Sequence, residues 1–372
     1  MDTLEGASTL ELNMLNRAQL RSEPITGSME LLPLCNMNCD MCFVRLSRKE
    51  MEAQGRLRTG EEWLSLGKQM AEAGTLFLLL TGGEPLLHPD FKEIYLGLKK
   101  LGLIVTLNTN ATLIDEQWAA FFGKHKPRRI NITLYGSDNE TYANLCHYPG
   151  GYDRVVNAVR MLRENGVDVK FGCSVTPKNV QDIKKMHETA DSLGVPISMD
   201  TYMMPGTRER TLPFHEQNRL SPEQAALARM NYLRAGHKDD TFVSYARQMI
   251  ARVDSFEPGP SEPCSISCRA GRCSFTINWQ GMMRPCVILT EPQVNVFEVG
   301  FAEGWKQISS SFQNVRYCAK CSNCRLRFIC RSCAAASKLE TGEFLGTPEY
   351  LCRYSEEFLR LLRLTLEETD NE

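Results

Sequence analysis

The chain has 372 residues, of which 42% are hydrophobic and 24% charged, with a formal net charge of −2. This is an ordinary globular composition, and its near-neutral balance argues against a polyanion-binding surface, so no nucleic-acid partner is expected. The N-terminal "MDTLEGASTLELNML" lacks a basic start followed by an apolar core, and the most apolar run, "LFLLL" at 76–80, is too short to cross a bilayer. A cytoplasmic chain with no membrane contact is expected. In such a reducing compartment its fifteen cysteines read as metal ligands rather than disulfides.

Residues 1–28 form an N-terminal segment. From 29 to 205 short β-rich runs alternate with amphipathic helical stretches. The expected strands are 29–33, 76–80, 103–108, 129–135, 169–175 and 196–202. The expected helices between them are 60–73, 91–100, 115–123, 153–165 and 180–193. "LKKLG", "RENG" and "DSLG" end three of these helices with a glycine at or near the C-cap. Six such β/α units predict an α/β fold with a parallel sheet and right-handed crossovers. Periodicity alone does not separate an open sheet from a barrel of fewer than eight strands. Residues 206–263 read as a connecting segment with a helix at 221–236 and the proline-rich "EPGPSEPC". Residues 264–352 hold ten of the cysteines and a short strand at 274–279, with too little core to fold without metal. Residues 353–372 are a final helix, 355–368, and its tail.

Two motifs carry chemistry. Cys35, Cys39 and Cys42 stand in a CxxxCxxC loop directly after the first expected strand. A disulfide uses two thiols and a closed zinc site four, whereas three thiolates on a cubane leave one iron open. The bland alternative is a zinc or redox loop that shares the spacing. "TGGEP", 81–85, follows the second strand, and its tandem glycines allow a ligand to approach the backbone at a strand C-terminus, where α/β folds bind ligands. Alone it reads as a strand-to-helix turn. One β/α unit after the cysteine loop, it does not.

Together these motifs resemble the radical S-adenosylmethionine (SAM) superfamily, and the resemblance implies a partial (β/α)6 barrel. Cys35, Cys39 and Cys42 would hold a [4Fe–4S] cluster whose open iron takes the SAM amino and carboxylate groups. Gly82, Gly83 and Glu84, with Pro85 completing the motif, would receive the SAM ammonium. "NTNATL", 108–113, resembles the family's TNG segment through Asn110. Ala111 stands in place of its glycine, which puts a positive φ there in question. Thr133 matches a hydroxyl position facing the SAM ribose. Arg154 stands at a distance suited to the SAM carboxylate, and Ser174 lies near the end of the fifth strand.

The C-terminal cysteines resemble the SPASM extension of peptide-modifying radical SAM enzymes, with two residues rather than the usual three between Cys330 and Cys333. By that resemblance Cys268, Cys286 and Cys333 would ligate one auxiliary [4Fe–4S] cluster. Cys321, Cys324, Cys330 and Cys352 would ligate a second, making three clusters in all. Cys273 is the expected fourth ligand of the first auxiliary cluster, leaving Cys264 and Cys318 surplus. A pair of zinc knuckles is the alternative. Interleaved arginines, Arg316, Arg325, Arg327 and Arg331, would offset cluster charge. Cys146 and Cys173 fall outside both groups and read as buried small hydrophobes, with a hydrogen-atom donor or substrate-linking thiol as the minority reading. His215 and the other histidines show no paired spacing.

The implied function is oxidative modification of a peptide or protein: a cross-link, a thioether or a dehydrogenation. A reducing partner such as flavodoxin or ferredoxin is implied with it. The alternative is a small-molecule radical dehydrogenase of carbohydrate or tetrapyrrole pathways. A non-catalytic, metal-stapled binding protein is disfavoured by the intact GGEP and open-cluster loop. About 28 residues precede the first expected strand, too few for a winged-helix peptide-recognition domain, so any leader peptide is expected to need a separate binding protein. Val287 follows Cys286 where sulfatase-maturating relatives carry an Asp base, which argues against that activity.

Overall fold

The computed structural model describes residues 9–204, 208–209, 219–259, 266 and 268–370. Cys264 and His215 lie outside the described residues. Six parallel strands form the body of the sheet: β1 (Thr26–Glu30), β2 (Phe77–Thr81), β3 (Ile104–Thr109), β4 (Arg129–Thr133), β5 (Val169–Ser174) and β6 (Ile197–Asp200). Their order is β6-β5-β4-β3-β2-β1, a partial (β/α)6 barrel that stays open. The sheet continues past β1 with β7 (Ser274–Ile277), parallel to β1, then β8 (Met282–Arg284) and β9 (Val294–Asn295), both antiparallel. The cysteine-rich region therefore begins as an extension of the barrel sheet.

The register explains why the two faces differ. One row across the sheet reads Met283, Ile277, Met29, Leu80, Leu107, Ile130 and Val169, all buried and apolar. That face meets the helices. In the neighbouring row stand Arg284, Thr276, Ser28, Leu79 and Thr106, and further along Asn108, Asn131 and Lys170. That inner face is polar and internally bonded: Ser28 Oγ donates to Thr276 Oγ1 at 2.9 Å, and Asn131 Nδ2 to Asn108 Oδ1 at 2.8 Å. Alternation with period two thus separates a core face from a face able to bind a polar ligand.

The helices follow in chain order. Before the barrel lies α1 (Thr9–Arg21), and after the cysteine loop α2 (Arg48–Gln54) and α3 (Gly60–Glu72). Ser47 and Thr59 start the latter two with capping boxes closed by Glu50 and Glu62. The barrel helices are α4 (Phe91–Lys100), α5 (Glu116–Lys124), α6 (Asn139–Cys146), α7 (Gly151–Glu164) and α8 (Ile183–Ser192). With Trp63 and Met70 of α3, their apolar stripes supply Ile94, Leu98, Phe122 and Val155 to the core. Then come α9 (Pro222–Gly236) and α10 (Asp239–Asp254), covered by the last helix. The cysteine-rich region adds α11 (Val296–Val299), α12 (Phe301–Phe312), α13 (Ala319–Ser322) and α14 (Ala334–Thr341), and α15 (Glu349–Asp370) closes the chain against α9 and α10. No described helix is long and apolar enough to cross a membrane.

A small second core of Ile266, Leu289, Phe312, Val315, Tyr317, Ala334 and Ala335 borders Cys286, Cys321 and Cys333. The rest of the region shares the main core through Phe275, Ile277, Phe301 and Trp305. The expectation that 264–352 has too little core therefore applies to the part around the cysteines, and not to β7–β9 and α12.

Candidate functional site

The cysteine loop leaves β1 at Glu30 and is fixed along its length. Leu31 N donates to Thr81 O at 2.9 Å, Gly83 N to Leu32 O at 2.7 Å and Glu84 N to Leu34 O at 2.8 Å, so the GGEP turn and the cysteine loop form one backbone unit. A Cβ on Gly83 would stand 2.2 Å from Leu34 O, and one on Gly82, whose φ is +149°, 2.5 Å from Leu32 O. Only glycines permit that approach. On the other side, Asn38 N and Asp40 N each donate at 3.0 Å to the last carbonyls of α6, Cys146 O and Leu145 O. Asp40 adds contacts to His147 Nε2 and Lys178 Nζ, both at 2.6 Å. Burial pushes its carboxyl up, but these two partners prevail and hold it below the usual carboxylate range.

Cys35, Cys39 and Cys42 are all partly buried and face one another, so the thiolate charges of Cys39 and Cys42 bear on Cys35. Burial, with smaller contributions from Glu84 and those two thiols, pushes Cys35 up to about 12. Hydrogen-bond donors nevertheless surround the sulfurs. Cys35 Sγ accepts from Met37 N at 3.4 Å and Asn110 Nδ2 at 3.6 Å, and Cys42 Sγ accepts from Arg45 N at 3.3 Å. Cys39 shares a side-chain hydrogen bond with Cys146. Thiols that are costly to ionise alone, yet met by N–H donors, suit thiolates neutralised by iron.

Glu84 is fully buried. Its Oε1 accepts from Leu86 N at 3.1 Å and Thr109 Oγ1 at 2.8 Å, and its Oε2 from Asn110 N at 2.8 Å. A carboxylate offers about four acceptor sites, so one is left for a further donor, which fits an ammonium. Burial pushes the carboxyl up to about 7 against those three donors. Asn110 also reaches Asn36 Oδ1 at 2.9 Å, placing the β3 turn beside Cys35. Ala111 has φ +60°. The left-handed turn is therefore kept without the glycine, correcting the doubt raised by the sequence.

The remaining expected positions scatter. Thr133 ends β4 on the inner face, in register with Gly172, and its carbonyl accepts from Tyr142 OH at 3.2 Å. Ser174 pairs with Asp200 at the end of β5. Arg154 is exposed in the first turn of α7. Cys173 lies on the helix-packed face, 3.9 Å from Met186 Sδ, with Asn179 Nδ2 at 3.7 Å, so it does not look into the barrel.

The C-terminal cysteines gather in two groups. The charge of Cys333 bears on both Cys268 and Cys286, and that of Cys268 on Cys286. Cys321, Cys324, Cys330 and Cys352 influence one another in the same way. Cys318, set aside as surplus by the sequence, stands beside the second group: its Sγ accepts from Cys321 N at 3.3 Å and lies 3.5 Å from Thr347 Oγ1. Cys273 is fully buried with Leu15, Ala18, Ile25 and Phe77, close enough to Cys268 to feel its charge. Among the described residues no three His, Cys, Asp or Glu side chains converge on a single ion. A cubane places each thiolate on a different iron and so needs a wider spacing.

Also missed was a buried ion cluster at the end of β1. Arg208 grips Glu30 with both terminal nitrogens, at 2.7 and 2.5 Å, donates to Val287 O at 3.0 Å and stands over the Phe43 ring at 5.3 Å. Phe43 follows Cys42 and Val287 follows Cys286, so this one guanidinium touches both cysteine loops. Arg208 also pairs with the adjacent Glu209 at 3.0 Å, but no motif marks the cluster, because Glu30, Phe43 and Val287 are far from it in sequence.

Residues 29–190 match the family model described as the radical SAM superfamily. These residues form a radical SAM domain. Along most of its length this radical SAM protein is 26% identical to the AdoMet-dependent heme synthase of Methanosarcina barkeri, over 90% of this chain and 98% of that one. It is 24% identical to the antilisterial bacteriocin subtilosin biosynthesis protein AlbA of Bacillus subtilis, over 71% of this chain and 55% of that one. In fold it is similar to SuiB of Streptococcus suis bound to its precursor peptide SuiA, with TM-score 0.65 and 17% identity over 92% of this chain and 78% of that one. SuiB is also known with S-adenosylmethionine bound.

Proposed function

We infer that this radical SAM enzyme oxidises a peptide or protein at an unactivated carbon, using the barrel cluster to make a radical and auxiliary clusters to take up an electron. The observation that carries this reading is the meeting of both cysteine loops at Arg208, with a polar inner face beside them. Cys35, Cys39 and Cys42 would hold a [4Fe–4S] cluster, which would supply the reductive SAM-cleavage chemistry from which hydrogen abstraction at the substrate would follow. The chain's own residues do the rest. Glu84 accepts the SAM ammonium, the glycines of the GGEP turn admit SAM to the backbone, and Asn110 holds Cys35 and the β3 turn together. Cys268, Cys286 and Cys333 hold the nearer auxiliary cluster, with Cys273 proposed as its fourth ligand. Cys321, Cys324, Cys330 and Cys352 hold the farther one.

A second reading is oxidation of a tetrapyrrole. It is favoured by likeness to a heme synthase over nearly the whole of that relative. Incubating the reconstituted enzyme with SAM, reductant and either candidate peptides or iron porphyrins, and weighing the products, separates the two. A peptide lighter by two hydrogens supports the first reading, and a porphyrin that alone changes mass overturns it.

A further inference from the structure

The three loop sulfurs are not served alike. Cys35 and Cys42 receive hydrogen bonds from backbone N–H groups and, for Cys35, from a side-chain amide. Cys39 receives a backbone N–H as well, and in addition has a second thiol beside it, Cys146, which is fully buried at the end of α6. A buried cysteine outside any motif is ordinarily a small hydrophobe. This one is held against a cluster loop by the backbone itself. The residues on either side of Cys39 hang from consecutive carbonyls, Asn38 from Cys146 and Asp40 from Leu145, each at 3.0 Å. The helix is anchored in turn by Asp138, which caps its N-terminus at Thr141 N, and by Tyr142, whose hydroxyl spans Thr133 O and Tyr135 N. The sulfur–sulfur contact is therefore set by main-chain geometry at both ends.

A thiolate bound to iron can only accept a hydrogen bond, so the proton of the pair belongs to Cys146. A donor on a ligand sulfur stabilises the more negative, reduced cluster over the oxidised one, and such hydrogen bonds tune iron–sulfur potentials. We propose that Cys146 is a positioning residue for the radical cluster, its S–H donating to the Cys39 sulfur and raising that cluster's reduction potential. This rests on the reading that Cys35, Cys39 and Cys42 hold the cluster. It assigns a task to a fully buried cysteine outside the three-cysteine motif.

The test is a redox titration of the holoenzyme followed by electron paramagnetic resonance, without SAM or substrate. The radical-cluster signal is identified by its loss when Cys35, Cys39 and Cys42 are all changed to Ala. Cys146→Ser keeps a donor, whereas Cys146→Ala and Cys146→Val remove it, the latter with little loss of volume. At a fixed poise the ratio of reduced to oxidised radical cluster should fall several-fold in the Ala and Val variants and return towards the wild-type value in the Ser variant. Equal ratios in all four proteins overturn the proposal, as does an equal fall in all three variants. Failure of the cluster to assemble in all three also overturns it, by making Cys146 a packing residue. If no signal is lost in the triple variant, it is the ligand assignment that fails.

Discussion

At Glu84 two demands meet. The carboxylate joins the GGEP turn to β3 through Leu86, Thr109 and Asn110, and it does so fully buried, which pushes its ionisation up to about 7. Below that pH the group is largely neutral and attracts an ammonium weakly, while above it the full charge is present. SAM affinity should therefore rise several-fold between about pH 6 and about pH 8, measured by calorimetry on the oxidised holoenzyme. Glu84→Gln should bind weakly and without that slope. An unchanged slope in the Gln variant would remove Glu84 from the SAM site. Ala111 poses a different residue-level question, since its φ of +60° costs an L-residue about 1–2 kcal/mol. The position is fully buried, with its N–H on Thr109 Oγ1 and its carbonyl on Ile114 N. Ala111→Val adds β-branching at a positive φ and overfills the core, so a loss of about 2–4 kcal/mol is expected. Ala111→Gly should stay within about 1 kcal/mol of the parent. Thermal unfolding of the two variants side by side decides this, and a valine variant as stable as the glycine one would refute the strain.

Among the elements, those with apolar runs were legible and those with mixed faces were not. The strands at 77–81, 104–109, 129–133 and 169–174 fall within a residue or two of expectation because one face of each is buried and aliphatic. The first strand was misplaced by three residues. "MELLP" is the more apolar run, but the strand is Thr26–Glu30, whose alternate residues Thr26, Ser28 and Glu30 lie off the apolar row. The polarity that hid the strand is what makes the inner face able to bind a polar ligand. Helices α1, α2, α6 and α10 to α14 are absent from the sequence expectation, and α6 shows why: its eight residues are stabilised by a capping aspartate and by Tyr142, Leu145 and Cys146 in the core, too short a pattern to stand out. The two cysteine groups were legible from spacing, whereas Cys318, Cys146 and Arg208 carry no spacing signal. At this scale the GGEP turn makes the sharpest prediction. Gly83→Ala drives a methyl against Leu34 O, a backbone atom with no rotamer to move. The variant should lose about 2–4 kcal/mol and incorporate fewer irons per chain, since the displaced backbone carries Cys35. Full iron content with normal stability would show that turn and loop are not one unit.

Over the whole molecule, the nine-stranded sheet makes the barrel and the cysteine-rich region continuous, with β7 alongside β1 and Phe275 filling the space left open by Gly27. The Arg208–Glu30 pair, almost wholly buried, then links the end of β1 to the loop after Cys286. Arg208 also pairs with the buried Glu209 at 3.0 Å, so removing the arginine would leave two buried carboxylates without it, and the separation of the two cysteine loops is held by more than the strands. The division between the two C-terminal cysteine groups lies inside a single short stretch. Cys330 stands with Cys324 and Cys352, while Cys333, three residues later, stands with Cys268 and Cys286. Neighbours in sequence therefore serve different groups, and α14 starts from the second of them, with Cys333 as its N-cap residue. Cys333→Ala should weaken or remove only the auxiliary cluster proposed for Cys268, Cys286 and Cys333, and Cys330→Ala only the one proposed for Cys321, Cys324, Cys330 and Cys352. Each would cost up to about four irons per chain and a distinct part of the Mössbauer spectrum. Both should leave SAM cleavage at the barrel cluster measurable as 5′-deoxyadenosine, because Cys35, Cys39 and Cys42 belong to a loop fixed by β2 and α6. Loss of the same cluster in both variants would mean that the two cysteine groups form one shared assembly.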